Sequence, residues 1–133
     1  MHLNPYLLFN GNCEEALKFY EQTLGAGIDT LLRYAGSPAE GHAPPGWSDK
    51  VLHARFTVGD TVVMAADAPP GHYERPQGFS VSISLNDKAK GESLFNALAE
   101  NGKTTMPFQQ TFWAAGFGMC VDRFGIPWMV NCE

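Results

Sequence analysis

The segment Gln110-Thr111-Phe112-Trp113-Ala114-Ala115-Gly116-Phe117-Gly118-Met119-Cys120-Val121-Asp122-Arg123-Phe124-Gly125-Ile126-Pro127-Trp128 carries the clearest structural signals in the chain. Two apolar, strand-like runs, 117–121 and 126–130, flank Asp122-Arg123-Phe124-Gly125. Asp at the first and Gly at the fourth position of a four-residue turn favour a tight reversal. The chain is therefore predicted to end in a β-hairpin. The preceding pair Phe112-Trp113 lies beside small residues. Such an aromatic pair is typical of side chains that fill the core or that cover a bound ligand.

The composition predicts one soluble globular domain. The chain has 133 residues, of which 44% are hydrophobic and 17% charged, and its formal net charge is -5. A chain of this length buries enough surface to fold without disulfides or structural metals. No apolar run approaches the roughly 20 residues of a membrane helix, and no Lys/Arg cluster offers a phosphate-binding footprint. We therefore expect neither a membrane nor nucleic acid as a partner.

Cysteine usage and the first residues predict a cytoplasmic protein. Cys13, Cys120 and Cys132 are odd in number and widely spaced, and none has a CxxC partner. They are interpreted as reduced thiols without a chemical role. The stretch Met1-His2-Leu3-Asn4-Pro5 lacks the basic start and apolar core of a secretory signal.

The first half of the chain has the predicted element order βαβββ. Asn12 is placed as helix N-cap with Glu15 at the capping-box spacing, and Gly25 is placed at the helix end. Gly59-Asp60 is a two-residue hairpin signal. The helix carries an apolar stripe of Ala16, Leu17, Tyr20 and Leu24. Apolar runs predict a buried first strand at 3–9 and further strands at 28–34, 50–58 and 61–67.

The same order returns after a segment rich in Pro and Gly, 68–78, which predicts a linker. A strand at 79–85, a second helix capped by Asp87, an edge-like strand at 103–108 and the terminal hairpin complete the second βαβββ unit. Gly91 inside the second helix is expected to weaken it by about 1 kcal/mol relative to Ala. The apolar side of that helix is predicted to hold Ala89, Leu94, Phe95 and Leu98. The chain is thus predicted to be an α+β protein, a single domain 1–133 made of two repeated modules, 1–67 and 79–133.

Several motifs in this frame resemble a known family. Asn10-Gly11-Asn12 with Glu15-Ala16, Phe19-Tyr20 and Leu24-Gly25 forms the first group. Phe112-Trp113, Gly116-Phe117-Gly118, Asp122, Phe124-Gly125 and Pro127-Trp128 form the second. Together they resemble the PhnB-like branch of the glyoxalase/bleomycin-resistance/extradiol-dioxygenase (vicinal oxygen chelate) superfamily. The resemblance covers nearly the whole chain.

This resemblance implies a fold and an assembly. The two βαβββ modules are expected to form one cup of eight mainly antiparallel strands, with two outer helices, a ligand inside, and a homodimer as the usual assembly. In metal-dependent members of the superfamily, the ligands stand on the first and fourth strands of each module. Laid on that pattern, the four places hold Pro5, Met64, Ser80 and Met129. None is a normal ligand of a hard metal ion, so we expect no metal and no other cofactor.

Relatives in this branch often carry a 3-demethylubiquinone 3-methyltransferase label, which the sequence does not support. A typical S-adenosylmethionine site uses a Gly-rich turn between a parallel strand and a helix, whereas the pair Gly25/Gly27 follows a helix. Whether the protein is an enzyme at all is left open by the sequence.

Strand alternation predicts the side chains that face the cup. His53, Arg55 and Thr57 alternate with apolar residues on the third strand, and Met64 and Met129 are placed inward by the family pattern. His53 is the candidate general acid/base, or else a hydrogen-bonded wall residue. Arg55 is a candidate for binding a carboxylate or phosphate; the alternative is that it is a surface residue. The predicted ligand-binding residues are Arg55, Met64, Ser80, Ser82, Trp113 and Met129; Trp128 is turned away from Met129 by the alternation.

Three functions are compatible with this pattern. The first is a metal-free module that encloses a small organic molecule, which the loss of the ligand quartet favours. The second is a lyase, isomerase or transferase in which His53 acts as general acid/base. The third is a structural homodimer whose cup is filled by its own side chains. The identity of the ligand is not encoded in any motif.

Overall fold

The computed structural model describes residues 1–133, which divide into two compact units, Met1–Glu74 and Arg75–Glu133. The division falls inside the segment 68–78. The first unit runs β1 (Tyr6–Phe9), α1 (Cys13–Leu24), β2 (Gly27–Arg33), a short 3-10 helix (Glu40–His42), β3 (Val51–Val58) and β4 (Thr61–Asp67). The second runs β5 (Val81–Leu85), α2 (Lys88–Ala99), β6 (Lys103–Gln109), β7 (Gly116–Val121) and β8 (Pro127–Cys132).

Each unit contains one four-stranded mixed sheet. The strand orders are β1-β4-β3-β2 and β5-β8-β7-β6, with a parallel pair between the first and last strands of each unit and antiparallel pairs elsewhere. The predicted α+β class with two βαβββ modules is confirmed. Neither α-helix has the length and apolar character needed to cross a bilayer.

The first helix is capped by a residue far away in the chain. Asn12 makes no capping hydrogen bond with its side chain, and its Oδ1 atom is buried without a hydrogen-bond partner, so the predicted capping box is wrong. The backbone N–H of Cys13 instead donates to Oδ1 of Asp67 at 2.9 Å. The second oxygen of this buried carboxylate accepts from the N–H of Val51, also at 2.9 Å. One side chain at the end of β4 therefore joins the start of α1 to the start of β3.

The buried side of the first sheet follows from strand alternation. Leu7 and Phe9 on β1 and Ala54 and Phe56 on β3 are buried, while Tyr6 and Leu8 are exposed. The expectation that all of β1 is buried is therefore wrong. Helix α1 buries the predicted stripe apart from half-buried Leu24 and ends at Gly25, whose φ of 68° is the left-handed conformation that favours Gly. Its buried residues are Cys13, Ala16, Leu17, Phe19 and Tyr20.

A bidentate ion pair between Arg33 and Glu14 connects α1 to β2. The Nη1 and Nη2 atoms of Arg33 donate to Oε1 and Oε2 of Glu14 at 2.8 and 2.7 Å. Hydrogen bonding to Arg33 lowers the pKa of Glu14 below its ordinary value, against an opposing effect of burial. Both side chains are more than a third exposed, so solvent screens the pair.

This ion pair predicts a small dependence of stability on pH. Because the folded-state pKa of Glu14 is lowered, its contribution is present above the unfolded-state pKa and is lost as pH falls through the folded-state value. Arg33→Met should lower the free energy of unfolding by less than about 1 kcal/mol at pH 7. Urea unfolding should show this deficit shrinking toward pH 3, with exposed Lys103→Met as the control variant. A deficit that grows on acidification would contradict this origin.

Helix α2 packs closely on the second sheet through glycine. Asp87 caps the helix as predicted, accepting from the N–H of Lys90 at 3.1 Å. Phe95 and Leu98 are buried and Leu94 is half-buried, but Ala89 is exposed, contrary to the prediction. A Cβ added to buried Gly91 would overlap Sγ of Cys132. Gly91 therefore lets the helix approach β8.

The terminal hairpin forms at the predicted turn. The N–H of Gly125 donates to the carbonyl of Asp122 at 3.0 Å, and Gly125 has a φ of 92°. The buried Asp122 carboxylate accepts from the N–H groups of Phe124 and Ile126 at 2.9 and 3.0 Å, and from Nε1 of Trp128 at 2.8 Å. This carboxylate fixes both the turn and the indole of the following strand.

Candidate functional site

Three of the seven predicted site residues, His53, Arg55 and Met64, lie on the side of the first sheet that faces away from α1. Cross-strand pairing aligns Tyr6 with Met64 and Met64 with Arg55, so these three side chains form one row. His53 lies two residues before Arg55 on β3 and pairs with Leu32 of β2. We call this surface the first open face and define it by Tyr6, Leu8, Leu32, His53, Arg55 and Met64.

His53 has a partner that the sequence analysis missed. The hydroxyl of Tyr6 lies 2.9 Å from Nδ1 of His53, and the two ring centroids are 5.7 Å apart. A phenol with its ordinary pKa of about 10 is protonated at neutral pH, and burial raises the pKa of Tyr6 further. The contact spans 47 positions of the chain, and no motif links the two residues.

Arg55 borders a depression at the edge of this face. It is exposed and forms no ion pair. The depression has a volume of about 340 Å³. Its N-terminal wall is fixed by Asn4, whose Nδ2 donates to the carbonyl of Val62 at 3.1 Å. The other lining residues are His2, Leu3, Asp60, Thr61 and Val62.

Pro5 does not occupy the place that the family pattern assigned to it. Strand β1 begins at Tyr6, and the carbonyl of Pro5 accepts from the N–H of Met64 at 2.9 Å. Tyr6, not Pro5, is the cross-strand neighbour of Met64. The placement of Pro5 on the ligand-binding side was therefore wrong.

The corresponding side of the second sheet holds the remaining predicted strand residues. Ser82 pairs with Met129, Met129 with Met119, and Met119 with Met106, which gives a row of one hydroxyl and three thioethers. Ser80 lies just before β5 rather than within it. We call this surface the second open face and define it by Ser82, Met106, Met119 and Met129.

A loop between β6 and β7 carries the aromatic pair. The side-chain oxygen of Thr111 accepts from the N–H groups of Trp113 and Ala114 at 3.3 and 3.1 Å, which fixes the loop conformation. Phe112 is 97% exposed and Trp113 is 52% exposed. The Trp113 ring contacts Phe117 edge-on at a centroid distance of 5.3 Å. The pair is thus held at the surface rather than in the core.

Trp128 and the cysteines lie among the buried groups. Trp128 is buried on the α2 side of its sheet, as strand alternation predicted. All three cysteines are free and buried. Burial raises the pKa of Cys13 and Cys132, and raises that of Cys120 to about 11. A protonated, buried thiol is a poor nucleophile, so none of them is a site residue.

The donor atoms of the two open faces do not suit a hard metal ion. No three His, Cys, Asp or Glu side chains cluster closely enough to hold an ion. The four positions that the family pattern assigned to ligands hold Pro5, Met64, Ser80 and Met129, and the cross-strand neighbours of the two methionines are Tyr6 and Ser82. Zn²⁺, Mn²⁺ and Fe²⁺ sites are built from imidazole, carboxylate or thiolate groups. The residues present therefore do not fit the metal centre of the superfamily.

Comparison with known proteins assigns the fold. A glyoxalase/bleomycin-resistance/dioxygenase domain from Frankia sp. EAN1pec superposes with a TM-score of 0.70 at 13% identity, covering 100% of this chain and 97% of that one. The two chains therefore share one fold.

Sequence similarity assigns the family. The family model described as 3-demethylubiquinone-9 3-methyltransferase matches residues 1–131. Protein PA1353 from Pseudomonas aeruginosa is 49% identical, with a TM-score of 0.91 and coverage of 100% of this chain and 98% of that one. Protein YjdN from Escherichia coli K12 is 35% identical over 139 residues, 98% of this chain and 95% of that protein. The chain belongs to this family, the PhnB-like branch expected from its motifs.

Proposed function

We propose that the protein binds a small organic molecule on its first open face and needs no metal ion to do so. The observation that carries this proposal is the Tyr6–His53 hydrogen bond set among exposed apolar side chains beside Arg55, which has no ion-pair partner. Tyr6, Leu8 and Leu32 are 45%, 46% and 50% exposed. The helix-free side of a solvated sheet is ordinarily polar, and apolar surface with a few convergent polar groups is typical of ligand sites.

Native mass spectrometry with elemental analysis tests this proposal on untagged protein. We expect a small organic adduct and well under one equivalent of zinc, nickel, iron or manganese per chain. A chelator should leave the melting temperature unchanged, because no metal-binding free energy would be linked to folding. A stoichiometric ion that is lost together with the thermal stability would contradict the metal-free proposal.

An enzyme is the second candidate, and the Tyr6–His53 contact is the observation that favours it. A histidine with a hydrogen-bonded partner meets one geometric requirement of general acid/base catalysis in a lyase, isomerase or transferase. The family description names a methyltransferase. Both sheets of this chain are mixed and mainly antiparallel. A typical S-adenosylmethionine site instead lies on a parallel, doubly wound sheet, at a Gly-rich turn between a strand and a helix. We therefore do not propose methyl transfer.

We propose that the second open face and the aromatic loop also contribute to ligand capture, through Ser80, Ser82, Met129 and Trp113. Trp113→Ala should lower ligand affinity several-fold while changing the unfolding midpoint little, since the ring is half exposed. Isothermal titration and urea unfolding measure the two effects on one sample. Phe117→Ala is the comparison variant, because Phe117 lies within β7 and contacts Trp113. Loss of folding on Trp113→Ala would make Trp113 a core residue instead.

We further propose a homodimer, as the family resemblance implies, and a cytoplasmic location, as the unpaired cysteines and the first residues indicate. Sheet edges and exposed apolar side chains such as Phe112 are surfaces that association can cover. Light scattering at micromolar concentration should give about twice the chain mass. A strictly monomeric particle would contradict this assembly. A purely structural dimer would form the same particle but bind no ligand.

A further inference from the structure

We infer that Tyr6 holds His53 as its neutral Nε2–H tautomer, and that the first open face thereby selects a small apolar molecule bearing a carboxylate. Nε2–H of His53 and the guanidinium of Arg55 would bind the carboxylate. This inference deepens the proposed function and rests on it. Tyr6 is a positioning residue in this arrangement, since it acts on the ligand only through His53.

The tautomer follows from the chemistry of the hydrogen bond. A phenol donates its proton readily but accepts weakly, because one oxygen lone pair is delocalised into the ring. The O–H of Tyr6, 2.9 Å from Nδ1 of His53, is therefore the donor and Nδ1 the acceptor. The phenol carries this proton at neutral pH, since the ordinary pKa of tyrosine is about 10. A neutral imidazole has one N–H, which must then be at Nε2.

This tautomer changes what His53 can do. Its free ring nitrogen presents a proton instead of a lone pair, so it binds an acceptor atom and cannot take a proton from a ligand. The arrangement favours a binding wall, or a general acid in the enzyme alternative, over a general base. Hydrogen-bonding the other ring nitrogen is a known means of fixing the orientation and tautomer of a functional histidine.

Arg55 supplies the charge that makes the acceptor a carboxylate. It lies two residues from His53 on the same side of β3, about 7 Å away along the strand. It has no ion-pair partner to compete with a ligand. Asp60 and Arg55 both line the depression at the edge of the first open face. The negative charge of Asp60 repels a doubly charged phosphate more strongly than a singly charged carboxylate. Leu8 and Leu32, which are exposed on the first open face, offer apolar contacts to the rest of the ligand.

Nitrogen-15 NMR of His53 in the ligand-free protein tests the tautomer independently of binding. We expect the Nε2–H form alone in the wild type, and a mixture of tautomers in Tyr6→Phe, which retains the ring packing. Chemical shifts elsewhere in that variant should stay unchanged. An Nδ1–H wild type, or a Tyr6→Phe variant with an unchanged tautomer, would overturn the inference while leaving the proposed function standing.

Matched probes test the ligand class. Benzoate, phenyl phosphate and neutral benzyl alcohol share a ring and differ in the polar group. We expect benzoate to bind at least about tenfold more tightly than either of the others, a hydrogen bond to a charged group being worth about 1.5–3 kcal/mol. Arg55→Gln should remove most of this preference. His53→Gln, which keeps an N–H near the Nε2 position, should retain more of it than His53→Leu.

The outcomes separate the two proposals. Equal affinity for benzoate and benzyl alcohol would overturn the carboxylate preference but support a binding face. Tighter binding of phenyl phosphate would replace carboxylate by phosphate as the ligand class. Absence of binding by all three probes, together with absence of an organic adduct in the native mass spectrum, would contradict the proposed function and the ligand class with it.

Discussion

Replacing Asp122 with alanine is expected to lower the free energy of unfolding by about 4 kcal/mol, because three hydrogen-bond donors, two of them buried, would lose their acceptor. The side chain is 3% exposed and accepts from the N–H groups of Phe124 and Ile126 and from the indole of Trp128. Each unsatisfied buried donor costs about 1–3 kcal/mol, and partial access of water to the turn reduces the total.

Two matched variants sharpen this expectation. Asp122→Asn keeps one acceptor oxygen and should cost about half as much as the alanine substitution. Asp60→Ala removes an exposed carboxylate from the other hairpin turn and should change stability by less than about 0.5 kcal/mol. Urea unfolding followed by tryptophan fluorescence measures all three. An Asp122→Ala variant as stable as Asp60→Ala would show that the turn does not depend on this carboxylate.

Gly91→Ala is expected to destabilise the protein by about 2–3 kcal/mol, although helix propensity alone predicts a gain of about 1 kcal/mol. The new methyl group would overlap Sγ of Cys132, and it would also meet Leu85 and Val130 at 3.5 and 3.6 Å. Cys132 is fully buried, so α2 would have to move away from β8 to relieve the overlap.

A second substitution tests whether the overlap with Cys132 causes the destabilisation by Gly91→Ala. Cys132→Ala removes the sulfur and should by itself cost about 1 kcal/mol for the small cavity. In that background Gly91→Ala should be far less damaging, giving a coupling energy of about 1–2 kcal/mol in the double-mutant cycle. Strict additivity of the two free-energy changes would mean that the glycine serves another purpose than close packing.

The element order was predictable because its signals are local. Apolar periodicity, the Gly25 helix end and the Asp122–Gly125 turn each act within a few residues, and the structure contains all three. The second βαβββ module repeated the same signals, so the fold class followed without knowledge of tertiary contacts. Strand ends were less well predicted, as for β1, which begins at Tyr6 and not at residue 3.

The features that the sequence did not predict depend on distant residues. Asn12 has the right chemistry and spacing for a cap, but the N–H of Cys13 donates instead to the carboxylate of Asp67, 54 positions away. The cost attributed to Gly91 was based on an isolated helix, whereas β8 lies against it in the fold. Tyr6 was taken as part of a buried strand, so its hydrogen bond to His53 was not considered. His53 and Arg55 were nevertheless placed on one face by alternation, and Met64 was placed on the same face by the family pattern.

Binding of a small molecule without a metal ion is tested most directly by methyl NMR of methionine-labelled protein in the presence of a chelator. Met64 lies in the central row of the first open face, between Tyr6 and Arg55, and exposed Met1 serves as an internal reference. Titration with benzoate and with benzyl alcohol should shift the Met64 methyl resonance saturably, without any added metal. A Met64 resonance that stays fixed, or that moves only after zinc, nickel, iron or manganese is supplied, would contradict metal-free binding at this face.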